Sequence, residues 1–162
     1  MTATNGVGAT TLTTPADREI VTTHVVDAPR RLVFDALTSP EHLPYWVLGP
    51  DGWPMPVCEI DLRPGGLWRF VWRRFDGTEI GMHGVYQDVT PPERLVYTES
   101  RGDSRVETVG RLVFAEANDR TTITCTVCYP SKEARDAALR TGTNGGVSES
   151  LENLAEYVRT MT

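Results

Sequence analysis

The segment from residue 60 to residue 97 constrains the fold most, because large apolar residues recur there at every second position. A strand with that period turns alternate side chains to one face of a sheet. The pattern therefore predicts an antiparallel sheet whose aromatic face is turned away from water, and a curved sheet of this kind can form the wall of a hollow. The apolar positions that alternate are Trp68, Phe70 and Trp72, and later Leu95 and Tyr97.

Length and composition predict one globular domain. The chain has 162 residues, of which 40% are hydrophobic and 23% charged, so it can bury a sizeable core. A formal net charge of −6 argues against a nucleic-acid or anionic-membrane partner, since both need a basic face. No apolar run approaches the roughly 20 residues that cross a bilayer, and the first residues lack a secretory signal. We expect a disordered leader over residues 1–17 and a single domain over residues 18–160.

The cysteines predict a reducing compartment and no metal centre. Cys58, Cys125 and Cys128 are an odd number without an export signal, which favours free thiols in the cytoplasm. Cys125 and Cys128 have C-x-x-C spacing, but on one strand residues three apart point to opposite faces. Neither a shared metal nor a disulfide fits that geometry. The histidines have no ligand companions at metal spacing, and we expect no metal and no cofactor.

The order of predicted elements is a strand, two short helices, six strands and a helical region to the end of the chain. The first strand runs from Glu19 to Val26, and Asp27 can cap the helix that follows. Gly81 and Gly84, inside one strand, predict a bulge or a close backbone approach. The order predicts an α+β fold in which a curved seven-stranded antiparallel sheet wraps around a long C-terminal helix.

The C-terminal region carries the second strong pattern. Ser131 is a good N-cap for a helical region, although later glycines each weaken a helix by about 1 kcal/mol. The last segment has one apolar stripe with helical spacing. The stripe consists of Val147, Leu151, Leu154 and Val158.

Motifs along most of the chain resemble those of the START-like superfamily, which has the helix-grip fold of the birch pollen allergen. The most similar branch is the one named by homology to activators of the heat-shock-protein-90 ATPase. The resemblance implies a fold more than a function, since the superfamily spans carriers, polyketide cyclases and co-chaperones. Members often have an aromatic residue directly after the glycine at position 146, so Val147 implies more room beneath the helix. The matching residues are Asp27-Ala28-Pro29, Asp61-Leu62-Arg63-Pro64-Gly65-Gly66, Gly84-Val85-Tyr86, Pro91-Pro92-Glu93-Arg94-Leu95, Gly142, Gly146, Ser150-Leu151 and Leu154-Ala155-Glu156.

The predicted site is a cavity between the sheet and the C-terminal helix, mostly apolar and on the order of 300–1,000 Å³. If Tyr97 points inward, so does Glu99, whose pKa desolvation would raise; at the mouth it would instead meet water, Arg101 or Arg105. Thr108 faces inward by the same period. The candidate lining residues are Trp46, Trp53, Trp68, Phe70, Trp72, Met82, Tyr97, Glu99, Thr108, Tyr129, Gly146, Val147 and Ser150.

Three functions fit these patterns. The first is binding of a small hydrophobic or amphipathic molecule. The second is a polyketide-cyclase-like enzyme, with Glu99 and either Tyr97 or Tyr129 as acid and base. The third is a co-chaperone or stress-response interaction module. The sequence contains no nucleophile motif or catalytic triad, so no catalytic residue is assigned, and a homodimer formed through the sheet edge or through residues 50–56 stays open.

Overall fold

The computed structural model describes residues 10–47, 53–102, 106–141 and 145–161. The strands and helices follow one another in the order that the sequence predicts, with one additional strand at the start. The elements are β1 (Thr10–Thr13), β2 (Glu19–Val26), α1 (Arg30–Thr38), α2 (Leu43–Trp46), β3 (Val57–Ile60), β4 (Leu67–Arg73), β5 (Glu79–Thr90), β6 (Arg94–Arg101), β7 (Glu107–Ala117), β8 (Arg120–Cys128), α3 (Lys132–Thr141), α4 (Gly145–Val158) and a 3-10 turn (Arg159–Met161).

The strands form one antiparallel sheet in the order β1-β2-β8-β7-β6-β5-β4-β3. The described sheet has eight strands, so the prediction of seven is wrong by one. The added strand is β1, which pairs with β2 from Thr10↔His24 to Thr13↔Val21. It falls within the segment expected to be a disordered leader. Three β-branched threonines beside the free edge of β2 explain why these four residues pair. Residues 1–9 lie outside the described part.

One face of the sheet, here called the inner face, packs against α1, α2 and α4. Its side chains alternate along each strand, as the period of two predicts. Phe114 and Ile123 from the sheet meet Val33 from α1 and Leu154 from α4 in one cluster, and each of the four is at most 1% exposed. The hydrophobic core therefore lies between the sheet and the helices, and the opposite face carries Arg69, Arg94 and Arg111.

The first helix begins differently from the sequence prediction. Its N-cap is Pro29, which makes no side-chain capping bond. Asp27 does not cap it, because its carboxylate instead lies 3.5 Å from the guanidinium of Arg120 on β8. Thr121 Oγ1 donates a hydrogen bond to the Ala28 carbonyl, and this bond fixes the entry of α1 against the sheet.

Two helices follow the last strand. Ser131 caps α3, since its Oγ accepts a hydrogen bond of 3.0 Å from the Ala134 amide. Arg135 of α3 donates to the carbonyls of Ala16 and Glu19, which holds α3 at the end of the sheet where β2 begins. The long helix of the fold is α4, and its half from Leu151 to Val158 packs on α1 and α2. No helix in the described ranges is both long and apolar enough to cross a bilayer.

Candidate ligand-binding site

An aromatic wall covers the inner face of β4 and β6. The ring centroids of Trp68 and Phe70 lie 4.9 Å apart, and those of Phe70 and Trp72 lie 6.2 Å apart with the planes nearly perpendicular. Tyr97 from β6 meets Trp68 edge to face at 6.0 Å. Edge-to-face pairs add stability beyond the area that the rings bury. The four rings form a continuous, rigid apolar surface.

The backbone ladder between β5 and β6 is interrupted beneath this wall. Residues pair regularly at His83↔Ser100 and Tyr86↔Tyr97, and a bulge follows Tyr86. Within the interruption, Trp68 Nε1 donates a hydrogen bond of 3.1 Å to the Thr98 carbonyl. Thr98 Oγ1 also accepts a hydrogen bond from the Val85 amide. The side chains of Trp68 and Thr98 thus replace backbone hydrogen bonds between β5 and β6.

Glycines allow the aromatic rings to lie flat on the sheet. A Cβ built on Gly84 would collide with the Thr98 carbonyl and come within 2.6 Å of Trp68 Nε1. A Cβ on Gly110 would come within 2.5 Å of the Tyr97 ring. The predicted close approach at Gly84 is therefore present, whereas the bulge lies a few residues further on. In each case a ring of one strand covers the glycine of the next strand.

The polar side chains of the inner face lie at one end of this wall. Glu99 pairs with Thr108 across β6 and β7, and Tyr129 directly follows Cys128, which pairs with Val109. On its other side, Glu99 faces the gap at Gly84, beyond which lies Trp68. The register therefore brings Trp68, Glu99, Thr108 and Tyr129 into one row across the sheet.

Glu99 is desolvated but not isolated. Its Oε2 lies 3.5 Å from Arg101 Nε, and the Glu99 side chain is 23% exposed. Burial raises the pKa of Glu99, and the attraction of Arg101 only partly opposes this effect. Burial also raises the pKa of Tyr129, with Arg101 opposing and Glu99 adding to the rise. Both outcomes that the sequence left open, an inward carboxylate and a partner in Arg101, are present together.

Burial is the main cause of a raised pKa in two further groups near this row. The pKa of Tyr97 lies well above its usual value because of desolvation, with a smaller contribution from nearby Cys125. Desolvation raises the pKa of Cys125 to about 12. Cys125 is a buried inner-face thiol, and Cys128 is half-buried on the opposite face, as the strand geometry predicts for a C-x-x-C pair. All three cysteines are free.

Burial decreases along the inner face from one end of the sheet to the other. Leu95, Phe114 and Ile123 are at most 3% exposed, where α1 and the second half of α4 cover the sheet. Further along the same strands, inner-face side chains become half-buried. We call these residues the half-buried patch: Phe70, Met82, Tyr97, Glu99, Val127 and Tyr129.

Several predicted lining residues lie elsewhere. Trp46 is buried, but its Nε1 donates to the Ala36 carbonyl within the helices. Trp72 is buried at the far end of the wall, where its indole donates to the Val47 carbonyl. Trp53 is half-buried in the segment before β3. Gly146, Val147 and Ser150 lie in the first turns of α4, where side chains are outside the described part, as is Arg105.

Two open pockets of about 410 Å³ each are formed by described residues away from the inner face. The first lies on the outer face, where Arg94 and Arg111 flank Val96 and Val109. The second lies beside the β4–β5 turn at Met55 and Phe75. Neither coincides with the half-buried patch. Among the described residues, no three histidine, cysteine or carboxylate side chains converge as metal ligands.

Sequence reasoning missed one position at this end of the sheet, Val127, although it named Arg101 as a possible partner of Glu99. Val127 pairs with Gly110 across β7 and β8, and strand pairing is the signal that identifies it. The period of two places Gly110 on the inner face, but only the structure shows that the Tyr97 ring lies across it.

The fold is that of a helix-grip protein of the START-like superfamily. A curved antiparallel sheet packs one face against a C-terminal helix, and two short helices follow the early strands. Residues 27–159 match the family model described as "Activator of Hsp90 ATPase homolog 1-like protein". The chain belongs to that family.

Solved structures share this architecture. A crystal structure of a Rhodobacter sphaeroides protein is 27% identical, has a TM-score of 0.87 and covers 95% of this chain and 100% of its own. A Nitrosomonas europaea protein is 23% identical, with a TM-score of 0.80 and coverage of 92% and 100%. A Mycobacterium smegmatis protein is 22% identical, with a TM-score of 0.81 and coverage of 94% and 98%. The last two show the fold alone. No curated protein matches the chain.

Proposed function

We propose that the protein binds a small hydrophobic or amphipathic molecule between the inner face of the sheet and α4. The supporting observation is the half-buried patch, which continues the aromatic wall toward a carboxylate. Small-molecule sites are mostly apolar, with a few polar groups that orient the ligand. Phe70, Met82 and Val127 would supply the apolar part, and Glu99 and Tyr129 the polar part.

The aromatic wall makes such a surface rigid before a ligand arrives. Trp68 is held by its hydrogen bond to Thr98, and Trp72 by its bond to Val47. Side chains already fixed in the free protein lose little conformational entropy on binding, which favours affinity.

The three free cysteines are in keeping with a reducing compartment, and we propose that the protein is cytoplasmic.

Native mass spectrometry of protein purified from its own host tests this proposal. We expect an adduct that denaturing conditions release. Met82→Trp would fill the half-buried patch from the inner face and should abolish the adduct. His83→Trp adds a similar bulk to the next residue, which is exposed on the other face, and should retain it. Equal occupancy in both variants, or no adduct in the wild type, would count against the proposal.

A polyketide-cyclase-like enzyme is the second candidate, favoured by one observation. Glu99, Thr108 and Tyr129 share a row at the open end of the wall, and burial raises the pKa of Glu99 above its usual value, the direction that makes a carboxyl group a better general acid or base. The released molecule separates the two candidates. A binding protein returns an added ligand chemically unchanged, by mass and by NMR spectrum, whereas an enzyme converts it and loses that ability in Glu99→Gln.

A further inference from the structure

The surroundings of Glu99 indicate which ligand chemistry the half-buried patch would select. In the strand register, Glu99 lies between Trp68, on the far side of the gap at Gly84, and Thr108. It is the acidic side chain of this inner-face row. A ligand that covers Phe70 and Met82 would bring its polar end to the pair of Glu99 and Arg101, because Arg101 lies opposite Met82 across β5 and β6.

Arg101 compensates this carboxylate only in part. The two side chains are 3.5 Å apart, and Arg101 is 48% exposed whereas Glu99 is 23% exposed. A half-exposed guanidinium gains little from such a pair, because water screens it and its long side chain loses freedom. Burial outweighs the attraction, as the raised pKa of Glu99 shows. Arg101 can therefore leave toward solvent at small cost, and the carboxylate would then need another cation.

The aromatic rings beside Glu99 favour a positive charge as well. Tyr97 lies two residues before Glu99 on the same face of β6, and Trp68 shares the row of Glu99 across the gap at Gly84. The face of an aromatic ring attracts a cation, and the attraction grows when the cation is desolvated. The net charge of −6 adds a long-range attraction for cations. An anionic ligand would instead place a second negative charge beside Glu99.

We propose that the half-buried patch selects an apolar organic cation, whose charged end takes the place of the Arg101 guanidinium at Glu99 and contacts the ring faces. This inference rests on the proposed function, since it requires that the patch binds a ligand. It adds the sign of the ligand's charge and the residue that recognises it.

Three probes of equal chain length test the sign of the charge: decyltrimethylammonium, decan-1-ol and decanoate, each titrated by calorimetry at pH 7. We expect decyltrimethylammonium to bind about tenfold more tightly than decan-1-ol, as a desolvated charge-assisted contact provides, and decanoate to bind most weakly. If the alcohol or the carboxylate binds as tightly as the cation, the inference is wrong while ligand binding stands. If none of the three binds, the proposed function fails with it.

Substitutions of the ion pair test the assigned residue. Glu99→Gln should reduce the ratio of cation to alcohol affinity to near one, and Arg101→Gln should increase it by removing the competing guanidinium. The matched control is the pair Arg69–Glu59, with 3.1 Å between its charged atoms on the outer face. Glu59→Gln and Arg69→Gln should leave the ratio unchanged. A preserved ratio in Glu99→Gln, with its circular dichroism spectrum unaltered, would overturn the assignment.

Discussion

The indole of Trp68 lies over the backbone of Gly84 and donates its hydrogen bond to the carbonyl of Thr98 on the strand beyond. An aromatic side chain thereby joins three neighbouring strands at the point where the backbone ladder is interrupted. A ring covers a glycine again two strands further on, where Tyr97 of β6 lies over Gly110 of β7. These two contacts form the base of the aromatic wall.

Gly84→Ala should destabilise the protein by about 2–3 kcal/mol, the upper part of the range for overpacking a core. The new methyl group would collide with a backbone carbonyl, which has little room to move. Gly81→Ala is the control on the same strand, because its Cβ would meet its nearest neighbour, Phe70 O, at 3.7 Å, an ordinary contact. It should change stability by about 0.5 kcal/mol or less. Urea denaturation measures both, and equal costs would contradict the close approach.

Thr98→Val should cost about 1–3 kcal/mol, because the Val85 amide would lose its acceptor inside the sheet. Thr98→Ser keeps the hydroxyl group and should cost clearly less. The free energies of unfolding of the two variants make the comparison. Hydrogen exchange at the Val85 amide provides a local check, and it should become faster in the valine variant alone. Unchanged protection there would rule out this hydrogen bond.

Gly110→Ala should push the Tyr97 ring away from the sheet, since the added methyl group would overlap it. We expect a loss of about 1–3 kcal/mol. In a Tyr97→Leu background the same substitution should cost less, and the two residues should show a coupling energy of about 1 kcal/mol. Additive effects in this double-mutant cycle would show that the ring does not cover the glycine.

Glu99→Gln should raise the free energy of unfolding above that of wild type at neutral pH and change it little in acid. The pKa of Glu99 is raised in the folded state above its usual value near 4.5, so the folded state favours the protonated form. That contribution to stability is fully present below the unfolded-state pKa and is lost as pH rises through the folded-state pKa. Glutamine imitates the protonated form at every pH.

Thermal melts at pH 4 and pH 7 check this expectation. The melting temperature of Glu99→Gln minus that of wild type should be larger at pH 7 than at pH 4. Arg101 faces the carboxylate and opposes the effect, while Tyr97, Tyr129 and Cys125 lie close enough to interact with it. A difference that stays constant with pH would mean that the Glu99 carboxylate has its ordinary pKa.

Much of the fold could be predicted because alternation is a local property. Leu95, Tyr97 and Glu99 share a face in any strand that contains all three. The same period places Thr108 and Gly110 with Leu112 on the next strand. Turn residues and caps such as Ser131 also act within a few positions, so the element order followed from neighbouring residues alone, as did the face that Glu99 shares with Tyr97.

The edge strand and the tryptophans show where this reasoning ends. Thr10–Thr13 has no strong pattern of its own and pairs because β2 offers an open edge. The sequence does not indicate which acceptors the N–H groups of Trp46 and Trp68 bind. One donates to a helix carbonyl and the other to a sheet carbonyl, because their polar N–H groups must find whichever acceptor the packing leaves unpaired.

The sequence by itself determined the strand period, the face on which each residue lies and the family to which the chain belongs, since all three depend on short-range patterns. Only the tertiary structure decided that Trp68 covers Gly84 and that Arg101 lies beside Glu99. It also decided that burial decreases toward that carboxylate. These features depend on register and on the position of α4, which arise from contacts between residues far apart in the chain.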